Sequence, residues 1–190
     1  MYSMQGIVRK SVNNATNQFE RLGYVANNLA NLNTRGYKAV NFEEMLKEDG
    51  YITGAVRSDY SQGSIQITSN PYDVAINGVG FIPVVSPDGQ IAYTRDGAFK
   101  QGKNGYLVTT DDWIVGEGIK IPANCYKFEI KSNGEVLTYD GATSKPKKIG
   151  TIPLVRFQSQ ENLEQYGMNK LIPTADSGEP ELVKDHDCFC

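Results

Sequence analysis

The chain has 190 residues, 39% hydrophobic and 22% charged, enough apolar material for one ordinary domain and an appendage. Nineteen Lys and Arg against 22 Asp and Glu give a net charge of -3 with no basic run, which argues against a nucleic-acid-binding face. No apolar run approaches the roughly 18 residues of a membrane span, and Arg9 and Lys10 follow the first apolar residues where a cleaved signal would have them precede.

The first element in chain order is a long amphipathic helix, predicted to start near Ser3 as N-cap and to run to about Leu32. Val8, Val12, Ala15, Phe19, Leu22, Ala26 and Leu29 alternate spacings of four and three. That is the a/d seam of a coiled coil, sustained for about three heptads. A seam needs a partner helix, and no later stretch has the same period, so the expected partner is another polypeptide. The opposite face carries Asn13, Asn17, Gln18, Glu20, Arg21 and Asn28. Amides outnumber charges there, and that face too is expected to meet protein in an assembly. Gly36 is placed to close the helix in the left-handed conformation. The competing reading folds the helix back over a later domain. A length of roughly 40 Å at 1.5 Å per residue argues against it.

Residues 37–64 read as an extended connector, with Phe42, Met45 and Leu46 on one short helical turn before Asp49-Gly50. Ile65 and Ile67 then alternate with polar residues. From there the turn dipeptides Asn77-Gly78, Asp88-Gly89, Asp96-Gly97, Asn104-Gly105, Asn133-Gly134 and Asp140-Gly141 punctuate the chain as hairpin signals. The predicted strands between them are 73–76, 81–85, 91–94, 106–109, 113–115, 128–130, 135–138 and 151–157. Pro83 should put its strand at an edge or a bulge. The fold class is mainly β with a long N-terminal α-helix. Its divisions are an axial coiled-coil helix at 1–36, the connector at 37–64, an antiparallel β domain at 65–160, and an irregular region and tail at 161–190.

Chemistry has little to stand on in this sequence. The single histidine, His186, lies in the tail, so no Ser-His-Asp or Cys-His set forms within the folded part. Glu43-Glu44 and Asp111-Asp112 are adjacent carboxylates at turns, where solvated charge is the ordinary state. Gly78-Val79-Gly80 lacks the third glycine and the helix of a dinucleotide loop. Cys125 reads as a buried small residue within a strand. Asp185-His186-Asp187-Cys188-Phe189-Cys190 packs metal-ligand chemistry into spacings that fit no usual zinc site, and a disordered tail is expected. The Asn14-Ala15-Thr16 sequon falls on the helix and is ascribed to chance. No catalytic, cofactor-binding or metal-ligating residue is assigned.

Three blocks of sequence carry a family resemblance. They are Asn27-Asn28-Leu29-Ala30-Asn31-Leu32-Asn33-Thr34-Arg35-Gly36-Tyr37-Lys38; Gly63-Ser64-Ile65-Gln66 with Asn70-Pro71-Tyr72-Asp73-Val74-Ala75-Ile76-Asn77-Gly78-Val79-Gly80-Phe81; and Tyr93-Thr94-Arg95-Asp96-Gly97-Ala98-Phe99, continuing to Gly105–Thr109. In this order they resemble the rod and hook family of axial proteins of the bacterial flagellar basal body. The short stretch between Lys38 and Gly63 is similar to rod proteins, of proximal or distal type. The resemblance implies a structural subunit, not an enzyme, that polymerises with copies of itself and other axial proteins into the hollow drive shaft for swimming motility. It also implies passage through the flagellar type III export apparatus without signal cleavage, to the extracytoplasmic basal body, periplasmic in a Gram-negative cell. No cofactor, nucleic acid or small-molecule substrate is expected. The assembly residues would be Val8, Val12, Phe19, Leu22 and Leu29 as knobs, Asn27, Asn28, Asn31 and Asn33 as hydrogen-bonding groups, and Gly36 as the turn into the β part. Such proteins normally close with a second long helix, and this chain is expected to lack it. The alternatives are a secreted or surface β-domain binding module with a helical stalk, presenting Tyr residues and Trp113, and an enzyme with a polar pocket.

Overall fold

The computed structural model describes residues 4–167, 169–183 and 189–190. Ser3 and the tail's His186 and Cys188 lie outside them. The chain forms two compact units, Met1–Ser61 and Gln62–Cys190.

The first unit is one helix and one hairpin. Helix α1 spans Met4–Ala30. Strand β1 (Val40–Leu46) pairs antiparallel with β2 (Ile52–Ser58), with Asp49-Gly50 in the turn between them. The predicted helical turn at Phe42, Met45 and Leu46 is therefore strand. Over five residues a spacing of three and four fits one helical turn as well as it fits chance. The ladder from Val40↔Ser58 to Leu46↔Ile52 supplies the partner that decides between them.

The described strands of the second unit all pair antiparallel, and a 3-10 turn spans Gln160–Asn162. Its main sheet has seven strands in the order β12-β13-β4-β3-β7-β6-β5. These are β3 (Ile82–Val85), β4 (Ile91–Thr94), β5 (Phe99–Gln101), β6 (Leu107–Thr109), β7 (Ile114–Val115), β12 (Glu164–Tyr166) and β13 (Lys170–Ile172). Three strands, β8 (Lys127–Ile130), β9 (Glu135–Tyr139) and β10 (Lys147–Thr151), form a second sheet, and β11 (Val155–Arg156) pairs with β14 (Glu181–Leu182). Inward side chains of both larger sheets meet in one core, including Ile82, Val84, Leu107, Val115, Phe128, Val136 and Ile152.

Several expectations change here. Pro83 is not on an edge: β3 lies between β4 and β7, and the Pro83 carbonyl accepts from Gly116 N–H at 2.9 Å. The β3–β7 ladder holds only Val84↔Val115 and Val85↔Ile114, so the missing proline donor falls where that ladder ends. Asp96-Gly97 does not close a hairpin, because β4 and β5 are four places apart in the sheet. Glycine stands at 97 because the Val74 carbonyl occupies the place of a Cβ. The predicted strand 151–157 breaks at Pro153 into β10 and β11, with Ile152 and Leu154 buried between them. Cys125 sits half-buried in the turn before β8, its thiol donating to the Lys127 carbonyl at 3.1 Å. Residues 161–190 add three strands to the fold, and Phe189 is buried against Ile76 while Cys190 bonds Ala75 in both directions at 2.9 Å.

Polar staples fix the late strands. Asn169 donates to Asp96 at 2.6 Å, and Thr94 Oγ1 donates to the Asn169 carbonyl at 2.7 Å. Next to them the buried Lys170 ammonium pairs with Asp111 and lies 4.9 Å from the centre of the Trp113 ring. Partial burial raises the Asp111 carboxyl, but hydrogen bonds from Lys170 and Thr109 and the Lys170 charge outweigh it, and the group titrates below the ordinary carboxylate range. A depressed carboxylate contributes stability that is complete above its unfolded value near 3.9 and is lost as pH falls through the folded value. Asp111→Asn is expected to cost about 1–3 kcal/mol at pH 7, since it strands a buried ammonium. The difference from the parent should narrow as pH falls below the unfolded carboxylate value, as chemical denaturation at pH 7 and pH 3 will measure.

Candidate assembly surface

Helix α1 has two faces with inverted roles. The face turned to the hairpin is polar. Asn17, buried at 7% exposure, donates from Nδ2 to the Ile52 carbonyl at 2.9 Å and to the Asn13 carbonyl at 3.0 Å. Asn13 Oδ1 accepts from Ile52 N–H at 3.1 Å. Two helical amides thus hold both backbone groups of the first residue of β2. At the other end Asn28 does the same alone: its Nδ2 donates to the Val40 carbonyl at 2.8 Å and its Oδ1 accepts from Val40 N–H at 2.9 Å. Tyr37 Oη also donates to Asn28 Oδ1 at 2.9 Å. Between these clamps Gln18 donates to Glu44 at 2.9 Å and the Tyr24 ring stacks on Phe42 at 5.7 Å. The sequence order Asn13, Asn17, Tyr24, Asn28 keeps these groups in one stripe at helical spacing.

The other face is apolar and open. Val8, Val12, Phe19, Leu22 and Leu29 are all exposed, Phe19 at 73% and Leu29 at 71%. Ile7, Val25 and Leu32 widen the same surface, and the hairpin adds exposed Met45 and Leu46. Among the described residues of this unit only Asn17 is buried, and no apolar side chain is. Exposed apolar surface of this extent marks an interaction site in a stable protein.

The helix end places the remaining assembly residues. Asn31 donates to the Asn27 carbonyl at 3.0 Å and to Asn27 Oδ1 at 2.8 Å, and Thr34 Oγ1 donates to Asn31 Oδ1 at 3.2 Å. Asn33 is exposed. Gly36 has φ +70°, the left-handed conformation, directly before Tyr37 reaches back to Asn28. The structure therefore brings Asn27, Asn31 and Thr34 into one network, holds Asn28 on the hairpin, and leaves the five apolar knobs facing outward.

In the second unit the family-like blocks converge on Arg95. Its guanidinium donates to the Gly80 carbonyl at 2.8 Å, the Gly78 carbonyl at 2.7 Å and Gln62 Oε1 at 2.8 Å, and it lies 5.8 Å from the Phe81 ring centre. Burial lowers its titration from the usual arginine value. Asp96 Oδ1 accepts from Ala98 N–H at 3.0 Å, and Asp73 accepts from Thr68 and Asn70. These motif residues tie loops together rather than facing a ligand. Trp113, the candidate ligand platform of the alternative reading, is half-buried, edge-on to Tyr166 at 5.9 Å and covered by Lys170. Among the described residues no group of three His, Cys, Asp or Glu is arranged to hold a metal. The amide face of α1, expected from the sequence to meet another protein, instead meets the chain's own hairpin through Asn13, Asn17 and Asn28. Sequence reasoning missed Tyr24 and Arg95 as site-building residues.

Asn28→Ala removes three hydrogen bonds and is expected to loosen the start of β1 by about 1–3 kcal/mol, read as faster amide exchange at Val40. Asn33→Ala, on an exposed side chain, should change it by less than about 0.5 kcal/mol.

Comparison with known proteins supplies the family. Residues 75–138 match the family described as the flagellar hook protein FlgE/F/G D1 domain. The chain is 33% identical to the flagellar basal-body rod protein FlgG of Caulobacter vibrioides over 184 residues, covering 84% of this chain and 70% of that protein. It is 35% identical to FlgG of Buchnera aphidicola subsp. Schizaphis graminum over 184 residues, 84% and 70% of the two chains. Flagellar basal-body rod protein FlgF of Mesorhizobium japonicum is 30% identical over 180 residues, 87% of this chain and 69% of that one. With its helix, its β domain and its motifs in one order, the chain belongs to the bacterial flagellar basal-body rod proteins, structural components of the rod.

Proposed function

We propose that the open face of α1 is the joint through which the chain enters the rod. Val8, Val12, Phe19, Leu22 and Leu29 pack as knobs against the helices of neighbouring copies and of other axial proteins, and the subunit so polymerised transmits motor torque. One observation carries this reading: a unit of some sixty residues buries no apolar side chain of its own among the described residues, while presenting a three-heptad apolar seam. Asn27, Asn31, Asn33 and Gly36 shape the helix end at this joint. Asn28 acts from inside, holding the helix on its hairpin so that the seam points outward. The helix with its hairpin forms the axial part, and the β unit makes lateral contacts. The role is mechanical and needs no catalysis.

Delivery completes the proposal. The subunit leaves through the flagellar export apparatus with its N-terminus uncleaved and takes its place outside the cytoplasm, in the periplasm of a Gram-negative cell. Membership of the basal-body rod proteins supports this step.

Phe19→Asp with Leu22→Asp, made in the complete gene, should leave the β unit's thermal unfolding unchanged and abolish both rods and swimming. Normal swimming would overturn the reading. A second measurement probes the helix itself. With no buried apolar contacts, the amides of Val8–Leu29 should exchange freely in the monomer and become protected in the polymer. Strong protection in the monomer would count against the proposal.

A further inference from the structure

The stretch that opens the second unit is tied down only at its ends among the described residues, where the Gly63 carbonyl accepts from Gln62 at 3.2 Å and Thr68 Oγ1 donates to Asp73 at 3.0 Å. From Gly63 to Thr68 the chain lies outside every helix, strand and turn, and every residue is exposed, Ile67 completely. No backbone group from Ser64 to Thr68 takes part in a hydrogen bond. Its side chains nonetheless alternate as in a strand, Ser64-Ile65-Gln66-Ile67-Thr68, and no charged residue lies between Asp59 and Asp73. An uncharged, alternating segment with bare amides is the usual donor for strand addition to a free sheet edge.

The second unit also holds an acceptor. Strand β10 is the edge of the three-stranded sheet, bonded to β9 on one side only. Beside it runs an open trough of about 780 Å³, bordered by the turn at Gly102–Gly105, by Lys120–Ala123 and by Lys147–Ile149. Ile121 and Ile149 supply apolar lining, and Lys103, Lys120 and Lys147 put positive charge on it, while Lys148 is paired with Glu135 at 2.7 Å. Asp59 and Asp73, which bracket the segment, carry the complementary sign.

We infer that residues 63–68 of one subunit add as a strand to β10 of a second copy, seating Ile65 and Ile67 along this trough. The inference rests on the polymer proposed above and names a contact distinct from the α1 seam. Its signature is directional, because alternate residues of a strand direct their N–H groups to opposite edges. Pairing on one edge uses the donors of either 65 and 67 or 64 and 66, not both sets.

Two double variants of the complete chain test it: Ile65→Pro with Ile67→Pro, and Ser64→Pro with Gln66→Pro. Neither removes an internal hydrogen bond, so both should unfold thermally as the parent does. One pair should reduce assembled rods roughly tenfold or more, through the loss of two backbone bonds, and the other should assemble normally. Equal assembly of the two, at any level, overturns the strand pairing. Lys147→Glu should weaken assembly most at low salt, and an unaffected polymer overturns the choice of β10. If the parent chain forms no rods, the polymer reading fails and this inference with it. The Phe19→Asp, Leu22→Asp variant separates that failure from a failure confined to residues 63–68.

Discussion

Everything in the first unit follows from one constraint: its helix carries more apolar surface than its own chain can cover. Burial of such side chains is worth about 1.5–3 kcal/mol each, and here that free energy is unclaimed within the subunit. The hairpin beneath α1 takes amides and one aromatic ring, and leaves Phe19, Leu22 and Leu29 to water. A soluble helix normally solves the problem the other way, with its apolar stripe turned inward. The inversion leaves this unit's apolar surface open, and the contacts proposed above with other rod subunits would cover it.

The second unit obeys the opposite rule. Its core is closed, and its motif-bearing loops are stapled by buried and half-buried polar groups: Arg95 on the Gly78 and Gly80 carbonyls, Asp96 on Asn169, and Lys170 on Asp111. Each polar atom so placed needs its partner once water is excluded. Loops held this way can present a fixed outer surface to neighbours, which suits a component that bears load. One protein thus joins a finished domain to an unfinished one.

Much of this was legible in the sequence, and the gaps have physical causes. The seam at Val8–Leu29 was visible because its period is long and regular, and Ile91–Thr94 because the Asp88-Gly89 turn sets it off from the strand before it. The hairpin at Val40–Ser58 was hidden, since Glu44 and Gly54 interrupt its alternation of apolar residues and the strands owe their place to Asn13, Asn17 and Asn28 on the helix. Phe189 was equally invisible. It is buried against Ile76, more than a hundred residues away, and no local pattern signals such a contact. Pro83 misled because propensity speaks of strands in general, whereas the actual β3–β7 ladder stops where the proline would have been asked for a donor. For the site, the apolar half could be read from periodicity. The polar half could not, because an amide that bonds backbone looks in sequence like one that bonds water.

The amide clamps have a consequence for geometry. Apolar contacts are tolerant of sliding and rotation, but Asn13 with Asn17 at one end and Asn28 at the other grip single backbone groups of Ile52 and Val40. Turning the helix by one residue would swing its faces by about 100° and break every one of these bonds. The azimuth of the seam is therefore indexed against the hairpin of its own unit whenever the helix docks on it. In a shaft built by repetition, an angular error in one subunit is inherited by the next, and a polar index that permits only one setting keeps such errors from accumulating.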